Sequence, residues 1–314
     1  MDFSFSDVQQ ELRAQARSWI RDRYPLERAH EVALSDAGWD DATWRELAEL
    51  GWLGVSVAEE NGGAGLSFLE EAVLFEELGY ALYSGPFLVT TLALPALPAD
   101  VQQAVAHGEA RWSIELGGFV PELGRVDQVV TAAGAVGAVG ETLPTVDVTR
   151  PLGRLDAAEA TPLAGAIELP RVHAALALEA LGVGQRALDL AVTHARTREQ
   201  FGRPIGVYQA VSHQLANSYV EIELARSLAY WAAWCVAERE PDAAVAAAAA
   251  KAHASEAAVA ACERSIQVHG GIGFTWEHPL HLFYKRAQWI EAFAGRPTEQ
   301  RARVAATLLD APET

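Results

Sequence analysis

Apolar residues recur at steps of three and four along most of this 314-residue chain, and one central stretch breaks the rhythm. Near the start, Val8, Leu12, Ala16, Trp19 and Ile20 share one helical face behind Ser6, a residue able to cap the helix. Asp40 can cap a second helix, with Trp44, Leu47 and Leu50 inward and Gly51 as its stop. Ser67 and Glu70 form the S-x-x-E capping box of a third helix that ends at Gly79. From Pro170 onward the helices lengthen. Arg171 to Arg196 is crowded with Ala174, Ala175, Ala177, Ala180, Gly182 and Gly184, which let backbones approach closely. Gln209 to Glu238 carries an inward row of Val211, Leu215, Ile222, Ala225, Ala229 and Ala232, and Ala243 to Val268 keeps Val259, Cys262 and Ile266 in register. Each would run on the order of 35–45 Å. Joined by short turns, they predict an antiparallel bundle.

The break lies between Arg111 and Glu168. Trp112–Leu116, Val129–Thr131 and Val146–Thr149 are short, glycine-separated β-type runs that predict a small antiparallel β unit. The resulting expectation is a mostly α chain in three parts. Residues 1–110 form an N-terminal all-α domain, 111–168 a reduced β domain, and 169–314 a C-terminal bundle of long helices.

Composition narrows the function. The formal charge of −18 opposes nucleic acid and anionic lipid as partners. The alanine-rich tracts are broken by charges before they could span a bilayer, and MDFSFSDVQQELR lacks the basic and apolar regions of a signal peptide. A cytoplasmic location is expected. Cys235 and Cys262, both in alanine-rich helical stretches, read as small buried side chains and not as a disulfide or metal pair. The glycine run Glu59–Gly65 lacks the Lys-Ser/Thr and the feeding strand of a phosphate loop.

Two segments carry unusual chemistry. Arg196–Ile205, RTREQFGRPI, joins two long helices and sets three arginines around Phe201 and Gly202, with Gln209 following. Arginines there could serve only the helix C-terminus. They also suit a surface that packs a planar ring and approaches a phosphate. Gln267–Trp276, QVHGGIGFTW, places Gly270 and Gly271 at a helix junction, where bare backbone N–H groups can face an anion.

These two segments resemble the paired signatures in the C-terminal bundle of the acyl-CoA dehydrogenases. Gly51–Val57 and Glu60–Leu66 resemble the first domain of the same family. The resemblance spans nearly the whole chain except residues 111–168. It implies FAD as cofactor, shared across a subunit interface. Arg198 and Phe201 would meet its pyrophosphate and adenine side. Gln267, Gly270 and Gly271 would lie along the ADP portion, with Gln209 close by.

The departures shape the expected role. A Glu-Pro-Gly-type flavin loop is missing between Arg111 and Glu168. The family's base is a glutamate before a glycine, and ungapped alignment from Gln267 through Arg286 places Gly295 there, within Phe293–Thr298. The alternative position, at the start of the first long helix, holds Val172 and His173. Glu168, Glu179, Glu291 and Glu299 lie nearby and read as solvated helix residues. The resemblance therefore points to a shortened, catalytically incomplete subunit of an actinobacterial steroid-degradation type enzyme. Its partners would be a longer acyl-CoA dehydrogenase subunit in an α2β2 assembly, an acyl-CoA substrate and an electron-transfer flavoprotein. Two other readings stay open: a homotetramer using Glu291 or Glu168 as base, and a structural bundle without FAD. A di-iron bundle is set aside because the long helices lack Glu-x-x-His pairs. So is a Rossmann site, because the double glycine follows a helix.

Overall fold

Caps that the sequence announces start three of the first helices. The computed structural model describes residues 4–309. In it α1 (Asp7–Arg23), α2 (Leu26–Leu34), α3 (Asp41–Glu49), α4 (Phe68–Tyr80), α5 (Phe87–Ala93) and α6 (Ala99–Ala106) build the first part. The Ser6 hydroxyl accepts from Gln9 N, and the Gln9 side chain accepts from Ser6 N. Asp40 accepts from Ala42 N. Ser67 and Glu70 close their box as expected. Gly51, at φ 75, stops α3 in the left-handed conformation.

The inward face of α1 is shorter than the pattern predicts. Ala16 and Trp19 are buried, but Val8 is 49 % exposed. The reason is polar: α1 meets α4 through Arg13–Glu76 and Arg17–Glu77 ion pairs and a Gln9–Glu70 hydrogen bond. Its first turn therefore stands off from the core. The glycine run around residue 62 is an internal turn. The amides of Gly62, Gly63, Ala64 and Gly65 donate to the carbonyls of Glu59, Ala58, Gly54 and Val57. None is left to hold a phosphate.

The middle segment holds β1 (Trp112–Ile114), β2 (Val120–Pro121), β3 (Gln128–Thr131), β4 (Gly134–Gly137), β5 (Gly140–Leu143) and β6 (Leu152–Leu155). They form two three-stranded sheets, β1-β3-β4 and β2-β6-β5. Two features correct the sequence reading. The unit is mixed, because β1 and β3 run parallel. Val146–Thr149 is a turn and not a strand, since Asp147 turns inward, accepts from Thr149 N and Oγ1, and meets Arg286.

The second helical part is α7 (Leu169–Thr197), a two-strand hairpin of β7 (Glu199–Gln200) and β8 (Arg203–Pro204), α8 (Gln209–Ala237), α9 (Ala243–His269), α10 (Leu280–Ala292) and α11 (Pro297–Leu309). The chain reverses at each connection, so the C-terminal ends of α7 and α9 lie at the same end of the bundle as the start of α8. Small residues make this packing possible. Gly79 of α4 and Gly182 of α7 mark a backbone crossing: a Cβ on Gly182 would sit 2.0 Å from Glu76 O, and one on Gly79 2.4 Å from Glu179 O.

A buried charge network ties the middle segment to the bundle. Arg286 on α10 is fully buried and reaches Asp147 at 2.5 Å and Glu179 at 2.7 Å. Arg150 grips Glu179 with both terminal nitrogens, at 2.6 and 2.7 Å, and Arg125 pairs with Glu122 at 2.9 Å. Three guanidiniums thus face three carboxylates. Burial opposes ionisation of Asp147 and Glu179, but the flanking arginines overcome it and hold both below the usual range. Glu179 is therefore a structural anion and not the solvated helix residue expected from the sequence. Cys235 and Cys262 are free and buried, as expected. No helix among the described residues is long and apolar enough to cross a membrane.

Candidate functional site

All six residues singled out from the sequence lie at one end of the bundle and are exposed. Arg198 caps the end of α7, its N–H donating to His194 O. The hairpin then brings Ile205 back to donate to Arg198 O at 2.8 Å. Its two-residue loop is Phe201–Gly202, with φ of 54° and 79°. Positive φ at both positions is the twist a tight hairpin wants, but it suits glycine or asparagine and strains phenylalanine. Phe201 is 92 % exposed and touches Tyr208 only edge-on, with ring centroids 6.3 Å apart. No burial explains a phenylalanine there. Gln209 opens α8 four residues after the hairpin closes.

Gln267, Gly270 and Gly271 come from the end of α9. Gly270 has φ 66, and a Cβ added to either glycine would meet nothing within 4 Å, so the backbone borders open space. A contact between aromatic rings joins the two segments. The His194 ring of α7 stacks on His269 of α9 with centroids 4.4 Å apart, and His278 meets His269 at 4.6 Å. Sequence reading missed His194 and His278. Their signal is weak, because the contact unites three positions 75 and 9 residues apart. Among the described residues, the Arg198 side chain makes no hydrogen bond or ion pair. A free guanidinium, an exposed ring and bare glycine backbone together suit a diphosphate with an attached planar base.

The opposite end holds the position where the sequence comparison looked for a base, and no carboxylate occupies it. Ala294 and Gly295 have φ of 58° and 101° in the α10–α11 turn. The carbonyl of Ala294 accepts from Gln300 at 2.8 Å and from His173 at 3.1 Å. The carbonyl of Gly295 accepts from the fully buried Lys251 ammonium at 2.5 Å. Burial lowers Lys251 to about 8 and His173 to about 4. Glu291 and Glu299 sit on the flanking helices, and burial and Glu256 raise Glu291. Glu168 is an exposed residue just before α7. His173 in α7 and Arg198 at its C-cap lie 25 residues apart, about 37 Å at the usual rise.

Among the described residues lie two larger cavities. One of about 870 Å³ has an apolar floor including Phe68 and Leu169, and Arg171 on its wall. Arg171 is occupied by Glu71 at 2.5 Å and Ser56 at 3.0 Å. The other, about 830 Å³, lies between α1, α4, α7 and α8, and its arginines are largely paired with Glu76, Glu77 and Glu223. By contrast, the cavity against Glu179 holds only about 10 Å³.

Helical regions on either side of a small β segment, with five antiparallel helices closing the chain, define the fold class of the acyl-CoA dehydrogenases. The family comparison agrees in both helical parts. "Acyl-CoA dehydrogenase, N-terminal domain" matches residues 6–99 and "Acyl-CoA dehydrogenase, C-terminal domain" matches residues 168–309. The chain belongs to the acyl-CoA dehydrogenase family, FAD-dependent oxidoreductases acting on acyl-CoA thioesters. It is 36 % identical over 292 residues to the acyl-CoA dehydrogenase IpdE2 of Mycobacterium tuberculosis, covering 88 % of this chain and 90 % of that one. Among solved structures it is similar to the Tcur3481-Tcur3483 steroid ACAD, with TM-score 0.87, 29 % identity and coverage of 96 % and 98 %. It is likewise similar to the ChsE4-ChsE5 complex from Mycobacterium tuberculosis, with TM-score 0.89, 26 % identity and full coverage of both chains.

Proposed function

We propose that this chain is the catalytically incomplete subunit of a heteromeric acyl-CoA dehydrogenase, and that it completes the FAD site of a longer partner subunit. The observation that carries this reading is the lack of a carboxylate, among the described residues, at the position expected for a base. That position holds only carbonyls engaged by Lys251, His173 and Gln300. The residues suited to FAD stand at the other end of α7, about 37 Å away along the helix. FAD held here would react in a neighbouring subunit.

In this reading the Arg198 fork holds the diphosphate, Phe201 covers the adenine side, and Gln267, Gly270 and Gly271 bring backbone and amide groups along the ADP portion, with Gln209 beside them. When bound, FAD supplies the hydride acceptor for α,β-dehydrogenation. The base comes from the partner. The exposed rings of Phe201, Phe274 and Trp276 beside this end form an apolar surface that a partner subunit would cover. The named similarities to a steroid ACAD and to the two-component ChsE4-ChsE5 complex support a CoA thioester of a steroid-derived acid as substrate and an α2β2 assembly. Electrons would pass to an electron-transfer flavoprotein in the cytoplasm. The chain divides accordingly into a helical domain (1–110), a reduced β domain (111–168) and the bundle (169–314).

Substitutions in the isolated complex test the assignment. Arg198→Ala is expected to raise the FAD dissociation constant roughly ten- to a hundredfold, the value of a charge-assisted contact. Turnover should recover in excess FAD. Glu291→Gln and Glu168→Gln should leave turnover unchanged. Loss of turnover in either, with FAD still bound, would place a base in this chain and favour the self-sufficient homotetramer.

A further inference from the structure

The arginine of one segment and the glycines of the other stand at the ends of α7 and α9, helices packed along their length, and at that shared end the three-histidine contact joins the two segments. His269 precedes Gly270 directly, and its Nδ1 donates to Ser265 O at 2.8 Å, which locks the ring on α9. His278 Nδ1 accepts from Leu280 N at 3.2 Å, which locks that ring at the start of α10. The His194 ring lies one helical turn below Arg198 and stacks on His269, 4.4 Å away with planes 27° apart. We propose that His194 and His278 are positioning residues for FAD: their contacts with His269 set the distance between the Arg198 guanidinium and the Gly270–Gly271 backbone. This rests on the FAD reading given above.

The rings are suited to the task because they stack without charge. Burial and the mutual proximity of the imidazoles lower His194 and His278, and burial lowers His269. Arg198 adds to the depression at His194, and His30 to that at His278. A protonated ring here would repel its neighbours. Neutral rings instead can meet closely, stacked at His194–His269 with planes 27° apart and tilted at His269–His278 with planes 52° apart. A contact that sets spacing acts on ligand affinity more than on global stability, because His194 is only half-buried.

The test uses the complex copurified with a tagged form of this chain from its native cells, freed of FAD and titrated with FAD while flavin fluorescence is followed. His194→Ala and His278→Ala are expected to raise the dissociation constant roughly two- to tenfold, no more than the lower end of the range for Arg198→Ala, with little change in melting temperature. His194→Phe restores a flat uncharged ring and should return the affinity close to wild type. Wild-type affinity in both alanine variants, with Arg198→Ala still weakened, would overturn the positioning role and leave the FAD reading standing. Wild-type affinity in Arg198→Ala as well would overturn the FAD reading itself. A raised constant that His194→Phe fails to restore would also overturn the proposal, since a positioning stack requires only the ring.

Discussion

Phe201 is a residue whose local conformation argues against it, and Phe201→Asn exploits that conflict. A left-handed conformation costs an ordinary L-residue about 1–2 kcal/mol, and asparagine tolerates it well. At φ 54 and 92 % exposure, the wild-type side chain recovers little of that cost in the isolated chain. Its edge-on contact with Tyr208 returns about 0.5 kcal/mol. Substitution should therefore stabilise the isolated chain by about 0.5–1 kcal/mol and raise its melting temperature by about 2 °C. In the complex the same change should weaken FAD. Stacking on a base is worth about 1–3 kcal/mol, or roughly five- to a hundredfold in affinity. Thermal melting by circular dichroism reads the first effect, and FAD titration of the complex reads the second. Opposite signs in the two assays identify a residue kept for a ligand at the expense of the fold. A lower melting temperature would refute the strain argument. A gain in stability with unchanged FAD affinity would refute the ligand role.

Two further predictions concern stability. Arg286→Leu leaves Asp147 and Glu179 buried beside too little positive charge, and should cost about 3–5 kcal/mol in urea unfolding; a loss below 1 kcal/mol would show that the network relaxes or admits water. For His173, burial lowers the pKa from 6.5 to about 4, so below pH 6.5 the unfolded chain takes up a proton that the folded chain refuses. Its contribution is complete above pH 6.5 and falls as pH drops, by about 3 kcal/mol near pH 4; His173→Gln should flatten that part of the stability profile, and an unaltered profile would contradict the assignment.

The helices were legible because their determinants are local. Ser6, Asp40 and Ser67 act within three residues of themselves, and the long helices repeat their apolar rows many times over. Both candidate-site segments were legible as motifs, and the fold brings them to one end. What stayed hidden depends on partners distant in sequence. Glu179 reads as a polar helix residue until Arg150 and Arg286 arrive from 29 and 107 positions away. The alternating Val146–Thr149 run has a strand pattern, but the Asp147 contact with Arg286 makes it a turn. Val8 fits its helical face by spacing and is exposed because that end of α1 meets α4 through polar groups. His194 and His278 gain meaning only through His269.

The central claim is that this chain holds part of an FAD it does not use alone, and flavin stoichiometry tests it most directly. The chain is purified once alone and once with a tagged longer acyl-CoA dehydrogenase from the same cells. Bound flavin is then measured by absorbance against mass from light scattering. The account predicts a colourless or nearly colourless protein alone, and a yellow complex with fewer than one FAD per polypeptide. One FAD per chain in the protein purified by itself would contradict it.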